Sequence, residues 1–268
     1  MRALRLPASR GLGWIGESFL IFRASPFRQL LFSLAFLMGL VIFLGLPKIG
    51  FLVAWIVIPA FVIGPHSVAR AASRGDSPGI AVLVEGFGPN RRALLALGAV
   101  FALGMLGVFG ATALLDDGRL LEALAGGAPL RTDDLREDGP LMDAIVLAAV
   151  LQTALLSLLW YAPLLVGWNG MPVGKAVFFS AVATLVNWRA FLVFGLGFTM
   201  LFTLVLIVAL ATSVWLAGPG VLRGGSPLFT AMWTLLPLWF GASYASYRDV
   251  FEAGQDAPPE GPEEGTAP

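Results

Sequence analysis

The side chains that could carry chemistry are few and widely spaced. His66 is the single histidine among the 268 residues, and the sequence contains no cysteine. A multi-histidine metal site, a thiolate nucleophile and a disulfide are therefore excluded. A serine nucleophile needs a nearby base and a group that orients the base, and one histidine gives no geometric basis for such a set. We predict a protein that is not an enzyme and that holds neither a metal nor a cofactor.

The deepest polar residues of the long apolar stretches are uncharged. They are Gln152 and Thr153, followed by Ser157, and the pair Thr199 and Thr203. Hydrogen bonds between membrane helices explain such residues, and a polar lining of a small central cavity is the sharper interpretation. Coupled transporters usually need a charged residue near the middle of a span, and none lies there. Passive movement of a solute or a lipid stays open.

The composition indicates which solvent surrounds the chain. Hydrophobic residues make up 57% of it, charged residues 13%, and the mean hydropathy is +0.83. Soluble domains have about 45–50% apolar and about 25% charged residues. A soluble fold of this length could not bury so much apolar surface, so we predict an all-α membrane protein.

Six apolar stretches are predicted to cross the membrane in one domain that covers residues 1–251. Short cytoplasmic interfacial helices are predicted before spans one, three and five, at 13–24, 80–87 and 173–187. In the first of these, Trp14, Phe19 and Phe22 would face the acyl chains. An acidic loop covers residues 116–140, and the Pro/Gly-rich acidic tail at 252–268 is predicted to be disordered. The six predicted spans are 29–46, 50–64, 93–115, 141–168, 190–217 and 227–247.

The distribution of Lys and Arg predicts the orientation. Most of these residues precede the first span, separate spans two and three, or separate spans four and five. Cytoplasmic loops carry such an excess, so both termini are predicted to lie in the cytoplasm and the acidic loop outside.

A proline, a glycine and a basic residue recur three times at nearly constant spacing. Each proline lies late in an apolar run and could kink its helix. An arginine also recurs where spans one, three and five begin. The pattern suggests three tandem two-helix units about a pseudo-threefold axis along the membrane normal. Charge bias and the tolerance of membrane helices for proline are the simpler explanation. The kink prolines are Pro59, Pro163 and Pro237.

The recurring basic residues would form a cytoplasmic rim. Such a rim can hold anionic lipid headgroups, although the topology requires the same charges. The candidates for headgroup contact are Arg28, Arg92, Arg189, Arg70, Lys175 and Arg248.

Four stretches carry a resemblance to known sequences. They are M-R-A-L-R-L-P-A-S at 1–9, G-M-P-V-G-K-A-V-F-F-S at 170–180, N-W-R-A-F-L-V at 187–193 and Y-A-S-Y-R-D-V-F at 244–251. Together they resemble an uncharacterised family of proteobacterial polytopic inner-membrane proteins. The resemblance implies a helical bundle in the bacterial inner (cytoplasmic) membrane. It supplies no activity and no binding residues.

Two functions fit these observations. The first is a non-catalytic membrane protein that acts through contacts with lipids, anionic ones included, or with a membrane protein partner in the cell envelope, and not with nucleic acid. The alternative is a passive channel or a transporter of lipid or small solutes. The alternative requires Gln152, Thr153, Thr199 and Thr203 to point together into a central cavity.

Overall fold

The computed structural model describes residues 3–46, 49–124, 139–218 and 226–252, and these residues form helices and turns without a strand. The predicted all-α membrane fold is confirmed at this level. Most of the predicted acidic loop and the predicted disordered tail, apart from Glu252, lie outside the described residues. The helices are α1 (Arg10–Ala24), α2 (Pro26–Leu44), α3 (Gly50–Phe61), α4 (Ile63–Ser73), α5 (Arg91–Asp116), α6 (Arg119–Leu124), α7 (Pro140–Leu159), α8 (Ala162–Gly167), α9 (Val173–Val186), α10 (Trp188–Ala217) and α11 (Ser226–Tyr247).

Five helical stretches of the described chain are long and apolar enough to cross a membrane. They are α2, the continuous pair α3–α4, α5, the pair α7–α8, and α10. The sixth predicted span, 227–247, forms the 22-residue helix α11. Tryptophan, tyrosine, serine and threonine side chains make α11 less apolar than the other five, so the count of six spans stays a prediction.

Helix α11 has protein neighbours on several sides. It packs against α1, α2, α4 and α10, and every residue from Gly241 to Tyr247 is buried. Because protein rather than lipid surrounds this half of α11, its serine and tyrosine hydroxyls can find protein partners.

Helix α1 is packed into the bundle along α10 and α11. Trp14 was predicted to face acyl chains, and this was wrong, because its side chain is only 1% exposed. Its ring lies edge-on to Phe191 and Phe194, with ring centroids 5.4 and 6.1 Å away. Phe19 on the opposite side of α1 is 42% exposed. Helix α1 therefore has a buried face that contacts two long helices.

The other two predicted interfacial segments also pack on the bundle. Residues Ile80–Phe87 form a 3₁₀ segment against α3 and α4. A side chain at Gly86 would overlap the backbone of Ala60, so glycine permits this close approach. Helix α9 packs against α7 and α8.

The three prolines of the proposed repeat have different local structures. Pro59 lies inside α3, two residues before that helix ends. Pro163 lies in the first turn of α8, after the helix is interrupted at Trp160 and Tyr161. Pro237 lies inside the uninterrupted helix α11. The threefold arrangement stays a prediction.

The long helices form an arc in the order α7, α5, α3, α2, α11 and α10, as each packs against the next. Both ends of the described chain meet at one end of the helix bundle, where the Leu4 amide donates to the Val250 carbonyl at 3.0 Å. We call this end the termini face.

Candidate lipid-binding cavity

The arc encloses a central cavity of about 500 Å³. Helices α3, α5, α7, α10 and α11 contribute to its wall, together with the first residues of α4 and α8. This volume falls in the range of about 300–1,000 Å³ that is usual for small-molecule sites. The cavity can therefore accommodate a molecule or part of one.

Aromatic rings close the cavity toward the termini face. The Trp160 ring lies edge-on to Phe191, Phe194 and Trp239, with centroid distances of 5.6, 5.8 and 5.1 Å. Behind this layer, Tyr161 and residues 164–166 are completely buried. The cavity therefore has a packed floor on this side.

His66 and Ser243 lie in the floor and bind each other. His66 Nδ1 lies 2.7 Å from the Val62 carbonyl oxygen, and Nε2 lies 2.9 Å from the Ser243 hydroxyl. A carbonyl only accepts, so Nδ1 carries the proton and Nε2 accepts the Ser243 O–H. Both ring nitrogens therefore have protein partners, and His66 is 6% exposed. His66 therefore presents the cavity with a ring and no free polar atom.

The cavity opens between α7 and α10. Helix α7 packs mainly against α5 and α9, whereas α10 packs mainly against α1 and α11 and has only a small contact with α9. Thr153 and Thr199 line the cavity from these two helices, and both are exposed. Further from the termini face, Val150 is 62% and Met200 75% exposed. The two helices thus leave a lateral gap where a bilayer would surround the protein.

The predicted cavity-lining residues separate into two pairs. Thr153 and Thr199 are among the residues that line the cavity, whereas Gln152 and Thr203 are not. Ser157 adds a third hydroxyl. Among the described residues that form the wall, none carries a charge and most are apolar. Such a surface suits a hydrocarbon chain and gives an ion no compensating charge.

The six predicted headgroup residues also differ in their surroundings. Arg70 lies 4.2 Å over the Trp168 ring and 3.8 Å from Glu85. Arg248 binds Glu17 and also approaches Asp249 at 3.6 Å. These two arginines therefore interact mainly with other parts of the protein.

The remaining four basic residues do not pair with an acid of the described chain. Arg92, Lys175 and Arg189 are exposed. No ion pair joins any of these three to an acid within the described part of the chain. Arg28 is half-buried, and its Nη1 atom is buried without a hydrogen-bond partner there. These four basic residues could still contact a headgroup.

The strongest polar cluster of the described chain joins α1 to the π-helical segment Arg248–Glu252, which follows α11. Asp249 accepts from Arg10 Nε at 2.8 Å and from Trp14 Nε1 at 3.0 Å, and it also accepts from Arg10 Nη2. Glu17 accepts from Arg10 at 2.7 Å and also from Arg248. Burial alone would lower the pKa of Arg10, but hydrogen bonds to Asp249 and Glu17 outweigh it and raise the pKa. The cluster holds α1 to the segment that follows α11.

Sequence reasoning missed this cluster. The available signal was an acid, Glu17, inside an otherwise apolar stretch that begins near Arg10. An acid in such a place usually has a basic partner, since charge at a membrane is costly. One partner, Arg10, lies on the same helix, but the other, Arg248, lies 231 residues away in sequence and could not be chosen without the fold.

The described residues contain no group of three or more acidic or histidine side chains that could hold a metal ion. By sequence, the chain is 28% identical over 274 aligned residues to a protein of Burkholderia thailandensis described as a probable inner membrane protein, and the match covers 98% of each chain. No protein-family model matches the sequence. No solved structure matches it. The chain is a multi-pass membrane protein whose described residues form helices and turns.

Proposed function

We propose that this is a non-catalytic inner-membrane protein that acts by binding lipid, and that a lipid acyl chain occupies the central cavity. In this proposal the chain crosses the membrane six times, in three related two-helix units. Both termini face the cytoplasm, where most of the Lys and Arg lie. The membrane assignment of the Burkholderia thailandensis relative supports the location.

The observation that carries the proposal is the form of the cavity. It is apolar, closed toward the termini face and open sideways between α7 and α10. A void in a protein loses dispersion contacts on its walls, and a hydrocarbon chain from the surrounding bilayer would restore them. The lateral gap allows the chain to enter without passing through water.

The alternative is a passive channel or a transporter of lipid or small solutes. The hydroxyls of Thr153, Ser157 and Thr199 favour it, because they give part of the wall a polar character. It requires the aromatic floor around Trp160 to open. A flux assay in proteoliposomes separates the two functions: a Trp160→Ala variant that conducts solute faster than the wild type would favour the channel.

Gly195 offers a direct test of acyl-chain binding. It lines the cavity, and a Cβ added there meets nothing within 4 Å. Gly195→Phe should therefore fill the space without disturbing helix packing. Gly110 on α5 is exposed outside the cavity and is equally free of neighbours, so Gly110→Phe is the matched control.

The measurement is native mass spectrometry of each variant released from nanodiscs that contain bacterial phospholipids. The wild type and Gly110→Phe should retain one more lipid than Gly195→Phe. Equal lipid retention by all three proteins would contradict the proposal.

A further inference from the structure

A second pocket lies at the termini face, between the N-terminal segment and the junction of α9 with α10. Its volume is about 330 Å³. Residues 5–8 form one side, and residues 186–189 form the other. The central cavity does not share these residues. The two sites are therefore separate.

Asn187 fixes the N-terminal segment over the start of α10. Its Nδ2 donates to the Leu4 carbonyl at 2.9 Å, and its Oδ1 accepts from the Leu6 amide at 2.7 Å. Asn187 is only 1% exposed. Arg5 lies between the two residues that Asn187 holds. Its backbone position is therefore set by the fold, although its side chain is exposed.

The pocket gathers positive charge without a compensating acid. Arg5 and Arg189 both line it, and no ion pair joins either to an acid in the described ranges. Arg189 lies in the first turn of α10. A helix N-terminus favours anions, so a cation there is unfavourable unless an anion is also present. An anionic ligand would compensate both the gathered positive charge and the unfavourable position of a cation at the helix N-terminus.

An aromatic residue lies at the edge of the pocket. Trp188 is 55% exposed, and the Arg189 guanidinium lies 5.4 Å from its ring centroid. Exposed tryptophans of membrane proteins usually lie at the depth of the lipid headgroups. The pocket is thus expected at the level where lipid phosphates are found.

We propose that this pocket binds a phosphate group through Arg5 and Arg189. Guanidinium groups bind phosphate oxygens in a bidentate manner, and two guanidiniums from different segments can hold one phosphate from two sides. Backbone amides of the first turn of α10 can add hydrogen bonds. An anionic phospholipid headgroup and free inorganic phosphate share this chemistry. The first source rests on the proposed lipid-binding function, whereas the second does not.

The test compares two double variants. Arg5→Ala/Arg189→Ala removes the pocket's charge, and Arg23→Ala/Arg74→Ala removes the same charge from exposed residues outside it. Each protein is placed in phosphatidylcholine nanodiscs with increasing phosphatidylglycerol, and the retained phosphatidylglycerol is counted by native mass spectrometry. Loss of the two pocket arginines should weaken retention about 30-fold, from their combined attraction to an anionic headgroup. The control should resemble the wild type.

A second arm identifies the source of the phosphate. The same proteins in pure phosphatidylcholine nanodiscs are titrated with inorganic phosphate and followed by thermal unfolding. If inorganic phosphate stabilises the wild type and the control variant but not the pocket variant, free phosphate is identified as a ligand. An effect in the first arm alone would identify the lipid headgroup.

The proposal would be overturned if both double variants lost phosphatidylglycerol retention equally. It would also be overturned if the pocket variant lost neither phosphatidylglycerol retention nor stabilisation by inorganic phosphate. Gly195→Phe keeps both pocket arginines and should bind phosphatidylglycerol at this pocket as the wild type does. Failure of the acyl-chain proposal and failure of the phosphate proposal can therefore be distinguished.

Discussion

Substitution of Asp249 by alanine should destabilise the protein more than loss of any other ion pair described above. The side chain of Asp249 is 13% exposed, and Arg10 and Trp14 both donate to it. Removing Asp249 leaves a half-buried guanidinium without one of its two acids. It also leaves the indole N–H of Trp14, a residue that is 1% exposed, without an acceptor.

The expected magnitude follows from these two losses. An unsatisfied buried donor costs about 1–3 kcal/mol. The ion pair is partly exposed, so its loss should fall between the roughly 0–1 kcal/mol of surface pairs and the roughly 3–5 kcal/mol of buried ones. We expect the free energy of unfolding to fall by about 3 kcal/mol. At about 2–4 °C per kcal/mol, this lowers the unfolding temperature by roughly 10 °C.

The assay is thermal unfolding in nanodiscs, followed by tryptophan fluorescence. Asp249→Asn should have a smaller effect, because the amide oxygen can still accept from Trp14 while the charge is lost. Glu85→Ala is the control, since Glu85 forms a long, exposed pair with Arg70 at 3.8 Å. If Asp249→Ala unfolds at the same temperature as Glu85→Ala, the cluster does not hold α1 to the end of α11, and this reasoning is refuted.

Two further predictions concern close packing and the floor of the central cavity. A Cβ at Gly98 would overlap the Ile56 carbonyl, whereas one at Gly107 meets nothing within 4 Å. Gly98→Ala should therefore separate α3 from α5 and lower the unfolding temperature, and Gly107→Ala should leave it unchanged or raise it. Ser243→Ala removes the donor to His66 Nε2 and should reduce the free energy of unfolding by about 1–3 kcal/mol. Chemical denaturation in detergent micelles measures the stability of these variants. An unchanged midpoint for Gly98→Ala would contradict the close packing of α3 on α5, and an unchanged midpoint for Ser243→Ala would contradict the hydrogen bond to His66.

The membrane class and most helices could be predicted from the sequence, because long apolar runs have one stable solution in lipid. Backbone groups there must be satisfied within helices. Helix α11 was harder to classify, since its serines and tyrosines lower its hydropathy. These residues are accommodated because α1, α2, α4 and α10 surround α11, which the local sequence does not reveal.

The environment of individual side chains could be predicted less well. The apolar pattern of α1 was interpreted as a lipid-facing surface, but Trp14 faces α10 and α11 instead. Arg70 and Arg248 have the spacing expected of a basic rim. Whether they face headgroups depends on Glu85 and Glu17, whose positions are set by tertiary packing. The central cavity depends on the divergence of α7 and α10, and no single stretch encodes such a feature.

The most direct test of the acyl-chain proposal is photo-crosslinking with a phospholipid that carries a diazirine near the end of one acyl chain. After irradiation in nanodiscs, peptide mapping locates the attached residues. We predict that labels concentrate on the cavity-facing residues of α7 and α10, around Thr153 and Thr199, and that Gly195→Phe removes them. Labels spread evenly over the exposed faces of α2, α5 and α10, unchanged by Gly195→Phe, would contradict the proposal that the cavity holds a lipid chain.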